Sequence, residues 1–522
     1  MRWVGKRWLA LGCVCGAVAA SWGVSGCDVL SSSGDDDKPI MVGTADPVKT
    51  LDPAGAYDAG SWGLYSNIFQ SLLTFTPAAP KPVPDAAKKC GFTSDELLTY
   101  VCELRSGLRF TSGRDITAQD VKFSFDRIVA IHDPGGPMPL LNSLKSVEAK
   151  GANKVVFHLS SADATFPYKI ATGAGSIVDR EKYSASKLRT GDDVVGSGPY
   201  VLKKYEHEKI AELRSNSRYK GALKDTGKPV TVRYFKDAEK LRDAWKKRNV
   251  DVAARQLPSA YLKSLSPSDS SVRVMNNPGA TTGNLAFNVR TGSAMKNPAA
   301  RRAIAAVVDR GELISIAHSR TVDSLYSLIP KGVTGHSTAF YDAYPKPSPD
   351  RARRILRDAG ITTPVNFTMA YPSGSAAKAE GAELKAQLEE TGLFKVTFNQ
   401  YDWNTFQNGF NKGAYDAYGI IWYPDFLDAD TFISPLVGAE STLHNGYSNA
   451  KVDGLIRDTQ KSPQRERVVG DFREIQRIVA HDVPLLPLWQ GKDTVVSKDS
   501  ISGTQFLSEG TGMWRLWELD RI

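Results

Sequence analysis

The segment TAQDVKFSFDRIV, residues 117–129, marks both its own start and its inner face. Thr117 stands where a side-chain oxygen takes up a free helical N–H, and Asp120 is placed to reach back. Val121, Phe125 and Ile128 then recur at helical spacing. NPAARRAIAAVVDR follows the same rule. Asn297 is its cap, Pro298 its first helical residue, and Ala300, Ile304, Val307 and Val308 face inward. SPDRARRILRDAG opens on Ser348 and Pro349, presents Ala352, Ile355, Leu356 and Ala359, and closes at Gly360. AEGAELKAQLEETG predicts another helix and leads into the alternating strand FKVTFNQY. Further short strands are predicted at KVVFHLS, KPVTVRYF, PVNFTMAY and AYGIIWY. No fixed-period repeat occurs, and the mixed order of elements predicts an α/β fold with mixed sheets.

The first 40 residues break this pattern. Arg2, Lys6 and Arg7 precede the apolar run WLALGCVCGAVAASW, which is shorter than the roughly 20 residues a bilayer span needs. The arrangement reads as an export signal. Val24, Ser25 and Gly26 then lead into Cys27, which resembles the lipobox of bacterial lipoproteins. That resemblance implies cleavage after residue 26 and acylation of the Cys27 sulfur. Residues 27–38 continue with Ser, Gly and Asp, a composition too polar to bury, and read as a flexible tether.

About 495 residues remain after such cleavage, too many for one core, so two or more lobes are expected. Net charge is +9, from 66 basic and 57 acidic residues. The positive charges are interleaved with acids on helices such as RARRILRD and LRDAWKKRN, a solvated surface and not a nucleic-acid patch. Cys90 and Cys102 remain as an even pair in an exported chain, which predicts a disulfide. The seven histidines show neither HxxxH nor HExxH spacing, so no metal site or cofactor is expected. VVGSGPY lacks nucleophile-elbow spacing, and its Gly196, Gly198 and Pro199 read as a tight turn into a strand. No phosphate-binding glycine loop opens a helix, and an enzyme is not expected.

Seven segments, in one order, resemble a known family. They are GTADPVKTLDPAGAYDAGSWGLYSNIFQSLLTF, LRSGLRFTSGRDITAQDVKFSFDRI, GSGPYVLKKY, the stretch from NLAFNVR to NPAARRAIAAVVDR, WYPDFLDADTF, YSNAKVDGLI and IVAHDVPLLPLW. Together they resemble the family 5 extracellular solute-binding proteins, the oligopeptide-, dipeptide- and nickel-binding subunits of ABC importers. The resemblance implies a two-lobed periplasmic-binding-protein fold of class II, in its large peptide-binding variant, with ligand enclosed between lobes. Lobe I is expected over 39–280, with an extra subdomain around 60–190. Lobe II is expected over 281–488, and 489–522 return to lobe I. Hinge strands are expected at NPGATTG (277–283) and LPLWQGKD (486–493), where Gly279, Gly283 and Gly491 would absorb dihedral change.

The resemblance also implies a site. Asp425, in Trp422-Tyr423-Pro424-Asp425, matches the aspartate that pairs with a peptide's α-amino group, with Trp422 or Tyr423 as an apolar wall. A turn-capping aspartate and a core tryptophan stay open as alternatives. Tyr57 and Trp62 are expected from the first lobe, and Asn445 and Tyr447 from the facing segment of the second. No arginine is assignable to a ligand carboxylate. The expected partners are a peptide or peptide-like solute, the permease and ATPase of an importer, and a membrane through the lipid anchor, with the protein a monomer at the outer face of a Gram-positive membrane. Another solute on the same scaffold (an opine, a metal chelate or siderophore, an oligosaccharide) and an exported lipoprotein hydrolase or sensor remain as alternatives.

Overall fold

The local signals become elements as read. Thr117 and Asp120 close a reciprocal capping box, with the Thr117 N–H donating to Asp120 Oδ2 at 2.9 Å. Asn297 Oδ1 accepts from the Ala299 N–H at 2.9 Å, and Ser348 Oγ from the Arg351 N–H at 3.3 Å. Each bond satisfies one of the donors that a helix start leaves free. The computed structural model describes residues 38–522 except 78, 80, 224–226, 256, 266–268 and 509. The expected signal, tether and Cys27 lie outside the described residues.

The principal strands, in chain order, are β1 (Ile40–Thr44), β2 (Ala87–Phe92), β3 (Thr99–Leu104), β4 (Leu144–Lys150), β5 (Lys154–Leu159), β6 (Tyr200–Glu206) and β7 (Ile210–Ser215). They continue with β8 (Val230–Tyr234), β9 (Val252–Ala254), β10 (Val272–Phe287), β11 (Val365–Pro372), β12 (Phe394–Tyr401), β13 (Ala417–Trp422) and β14 (Leu485–Lys498). The helices used below are α1 (Ala59–Ile68), α2 (Ala118–Ile131), α3 (Pro298–Val307), α4 (Ala339–Ala343), α5 (Pro349–Asp358), α6 (Ser375–Glu390) and α7 (Val469–Asp482).

One eleven-stranded mixed sheet runs through the molecule in the order β12-β11-β13-β10-β14-β9-β1-β8-β7-β6, with the short strand Asp323–Ser324 beside β14. Each half has a parallel centre: β1 lies between β8 and β9, and β11 between β12 and β13. The antiparallel pair β10–β14 joins the halves. A separate four-stranded sheet, β2-β3-β5-β4, lies in the first half. There Cys90 and Cys102 stand directly opposite on β2 and β3, with their sulfurs 2.03 Å apart.

Two large apolar cores flank the joining pair. The first takes in Ile40, Phe110, Phe157 and Tyr200, and on β10 and β14 it reaches Met275 and Val495. The second starts at Ala280 on β10, ends at Trp489 on β14, and includes Ile304, Phe406 and Phe472. The changeover coincides with irregular pairing. Pro278 faces Lys492, yet the next regular pair is Thr282 with Gln490, and the register slips again between Gly283 and Asn284. Both segments read as hinge strands lie on this pair.

None of Gly196, Gly198, Gly279, Gly283 and Gly491 is among the glycines with positive φ. What they provide is room. A Cβ on Gly196 would lie 2.0 Å from the Ile68 carbonyl oxygen, and one on Gly198 2.5 Å from that of Asn67, so this segment packs on the end of α1. A Cβ on Gly283 would lie 2.0 Å from the Trp489 ring. That indole is not free to give way. Its N–H donates to buried Glu380 Oε2 at 2.6 Å, and the same carboxylate bonds His318 at 2.7 Å and Tyr371 at 2.9 Å. Gly283→Ala is therefore expected to cost about 1–3 kcal/mol by overpacking. Urea unfolding of the mature protein checks this, and an unchanged midpoint would show that the indole moves aside freely.

Candidate functional site

β13 delivers the segment of interest. Its last residue, Trp422, pairs with Thr282 at the irregular stretch of β10, so the chain leaves the second lobe where the lobes meet. Pro424 is buried, while Tyr423 projects outward at 65% exposure. Asp425 comes next, and its Oδ2 accepts a hydrogen bond from the Tyr57 hydroxyl at 2.8 Å. Tyr57 belongs to the first lobe, just before Asp58, the residue that caps α1. The bond therefore spans the two lobes.

Asp425 is not a turn cap. That work falls to Asp428, whose Oδ1 accepts from the Asp430 N–H at 2.9 Å and whose two oxygens hold the buried Arg465 guanidinium, each at 2.8 Å. Burial pushes the Asp425 pKa up to about 6, against the hydrogen bond from Tyr57 and the positive charge of Lys169. Desolvation disfavours the charged form, and here it outweighs both stabilising contacts. The Tyr57 phenol is pushed up as well, first by burial and then by the Asp425 charge. Tyr57 nonetheless keeps 37% of its surface exposed. A group ringed by protein yet open to solvent is one that lines a cleft.

The aromatic residues divide. Trp62 is core: it is buried, its indole N–H donates to the Ala56 carbonyl at 3.2 Å, and Gly173 lies against its edge. It backs the Tyr57 ring at a centroid distance of 5.3 Å. Trp422 packs on the second core, but its indole N–H is buried without a partner among the described residues. An unsatisfied buried donor costs free energy until something accepts from it. The Tyr423 phenol is raised by burial and by Asp46, with Arg255 acting in the opposite sense.

Asn445 and Tyr447 are not brought to this group. The Asn445 amide donates to the Pro484 carbonyl at 3.1 Å, and the Tyr447 hydroxyl to Asp482 at 2.8 Å. Both hold the turn that enters β14. Six residues of strand separate Pro484 from Gln490, the residue level with Thr282, or roughly 20 Å at strand rise. Their polar side chains are used to satisfy backbone and carboxylate at the distal end of the second lobe.

Three contributors escaped the sequence reading. Arg255 directly follows β9, in the left-handed region at φ 61°. It is held by Ser508 Oγ at 3.1 Å, by the Thr511 carbonyl and by Asp46 at 3.7 Å, over the Trp514 ring at 5.3 Å. Lys169 is 2.8 Å from Asp163 and adds positive charge near Asp425. Phe426, the residue after Asp425, belongs to the first core and packs at a tilt against Tyr168, with ring centroids 5.6 Å apart. Beside it, the Ala164 N–H donates to the Gln460 carbonyl at 2.9 Å. None of these carries a local motif; each depends on a fold that brings distant segments together.

The model of the bacterial extracellular solute-binding proteins, family 5 Middle, matches residues 81–442. The chain belongs to this family. Among curated relatives, this solute-binding protein is 26% identical to the di/tripeptide-binding protein 2 of Pseudomonas aeruginosa (strain UCBPP-PA14), over 86% of this chain and 89% of that one. Its fold is similar to that of HbpA2 from Haemophilus parasuis, with a TM-score of 0.80 at 17% identity, covering 93% of this chain and 100% of the other. The DppA protein of Helicobacter pylori in complex with the peptide STSA gives 0.75 at 19% identity, with 93% and 98% covered. The family 5 fold is thus the two-lobed class II architecture, and the family is one of receptors. No helix among the described residues is long and apolar enough to cross a membrane.

The raised Asp425 pKa has a signed consequence. Above about pH 6 the folded protein carries the cost of an ionised, poorly solvated carboxylate. As pH falls through 6 the folded form takes up a proton before the unfolded chain does, whose value is near 3.8, and the cost disappears. Asp425→Asn should therefore stabilise the receptor at pH 8, by about 1 kcal/mol after allowing for solvent screening, and leave it unchanged near pH 4. Thermal unfolding at both pH values checks the difference.

Proposed function

We propose that this solute-binding protein is the extracytoplasmic receptor of an ABC importer and that its cargo is a short peptide, held by its amino terminus at Asp425. The observation that carries the reading is the Asp425 carboxylate. It faces a first-lobe phenol across the cleft, is free of any capping duty, and sits in surroundings that penalise its charge. A peptide ammonium would supply the missing counter-charge through a charge-assisted hydrogen bond. The Trp422 indole N–H, three residues before Asp425, is a donor without a partner among the described residues, and the Arg255 charge acts on neighbouring Tyr423. Peptide backbone is common to all peptides, so such contacts give affinity without strong sequence preference. The di/tripeptide-binding name of the Pseudomonas relative and the peptide in the Helicobacter DppA complex support the same class.

The apolar and aromatic contacts around Phe426 support closure about the β10–β14 pair. A ligand that touches both lobes favours the state in which they meet. An anchor at Cys27 suits this role. A receptor outside a cell with a single membrane must stay beside its permease, and two or more acyl chains hold a protein there stably.

Two outcomes are expected. Calorimetry with a free dipeptide should show Asp425→Ala weakening binding by about 30-fold or more, the effect of removing one member of a desolvated charge pair. N-acetylation of the peptide should weaken the wild type alike and scarcely affect the mutant. Equal weakening of both proteins would remove Asp425 as the amine's partner, and binding of a sugar or chelate with no peptide bound would overturn the cargo class. Separately, cells fed radiolabelled palmitate should label the wild type and not Cys27→Ser; equal labelling would sink the anchor.

A further inference from the structure

A cavity of about 910 Å³ opens on the second lobe among α3, α4, α5 and α7, and none of Tyr57, Tyr423 and Asp425 lines it. Its size falls in the range of small-molecule sites, roughly 300–1,000 Å³. Its chemistry is distinctive. Arg302 comes from α3, Arg351 from α5, and Arg473 and Arg477 from α7, against one lining acid, Asp342 on α4. His336 and His481 also line it. The floor is apolar, with Tyr344, Ala343 and Ile355.

The basic side chains are ordered. Arg473, Arg477 and His481 fall at intervals of four on α7 and so form one rail along a single face. The rail spans roughly 12 Å, longer than one phosphate group. Like charges four apart weaken a helix, so this spacing is not what helix stability selects. Arg477 has Glu474 beside it at 2.8 Å, and His481 has Asp482 at 3.1 Å. Arg473 is exposed and has no ion pair among the described residues. Opposite, Arg351 is pre-oriented: it donates to the Ala343 carbonyl at 2.6 Å and lies over the Tyr344 ring at 5.2 Å. Ser337 adds a buried hydroxyl oxygen on the wall with no partner among the described residues.

We propose that this groove binds a small organic phosphate, with Arg473 and Arg477 on the phosphate chain and Tyr344 and Ile355 beneath the organic part. Planar guanidinium groups match phosphate oxygens two at a time, and several of them on one wall select an anion with more than one phosphate. A concave site with an apolar floor favours a small molecule over the flat face of an anionic membrane. Occupancy here is separate from the cleft, so the receptor carries two independent ligand sites.

The test uses the mature protein with ATP and inorganic tripolyphosphate as probes, by calorimetry at about 150 mM salt, where loose surface attraction is screened. ATP is expected to bind one to one and more tightly than tripolyphosphate. Arg473→Glu, an exposed position that leaves folding intact by circular dichroism, should weaken ATP at least about tenfold, and Arg302→Gln should weaken it too. Dipeptide binding in the cleft should be the same in all three proteins. Absence of heat with both probes overturns the proposal, as does an Arg473→Glu protein that binds ATP like the wild type. Equal affinity for ATP and tripolyphosphate overturns the organic part. Binding to phosphatidylglycerol vesicles with neither soluble probe bound would make the face a membrane contact instead.

Discussion

The antiparallel pairing of β10 with β14 is the constraint on which the rest hangs. It is the one ladder that both cores share, and it makes a single sheet of two halves that each have their own parallel centre. Its regularity fails where the cores change over, between Pro278 and Thr282 and again at Gly283. A regular ladder resists bending because every residue is paired; an irregular one concentrates bending where pairs are missing. On the second-lobe side the irregularity is bounded by Trp489, which the buried Glu380 holds together with His318 and Tyr371. One side of the junction is thus tied down, and the irregular stretch of β10 lies beside it.

That arrangement explains why the candidate site lies where it does. β13 ends level with Thr282, so the loop from Tyr423 to Asp430 is thrown across the junction toward the first lobe. Its residues take separate tasks. Asp428 stiffens the loop through the buried Arg465, Phe426 enters the first core, and Asp425 meets Tyr57. The carboxylate is poorly solvated because its neighbours on both sides are committed to packing.

Much of the fold was legible in the chain. Caps at Thr117, Asn297 and Ser348 were readable because a cap depends on residues two or three apart. The chain order of the family segments carried the architecture, and with it the place of the Asp425 segment beside the junction. Asn445 and Tyr447 were misplaced for a physical reason. A polar residue before a strand looks the same whether it serves a ligand or the turn that enters the strand, and here Pro484 and Asp482 claim both side chains. Arg255 was invisible since its meaning comes from Asp46 and Trp514, each more than two hundred residues away, and Lys169, whose ion pair with Asp163 is local, gains its meaning only where the fold brings it near Asp425. The glycines of VVGSGPY were read as turn formers, and they also admit the end of α1 against them.

The adjacency of Asp425 and Phe426 bears on timing. One residue touches the cleft and the next is embedded among the rings of the opposite lobe, 5.6 Å from Tyr168. If cargo sits at Asp425 as proposed, parting the lobes there would pull Phe426 from its apolar seat. Residence time would then be governed by an extraction barrier that is a property of the protein, common to every cargo, while the equilibrium preference among cargoes is settled elsewhere in the cleft. A receptor built so would release weakly and tightly held solutes at more similar rates than their affinities imply, leaving capture rate to distinguish them.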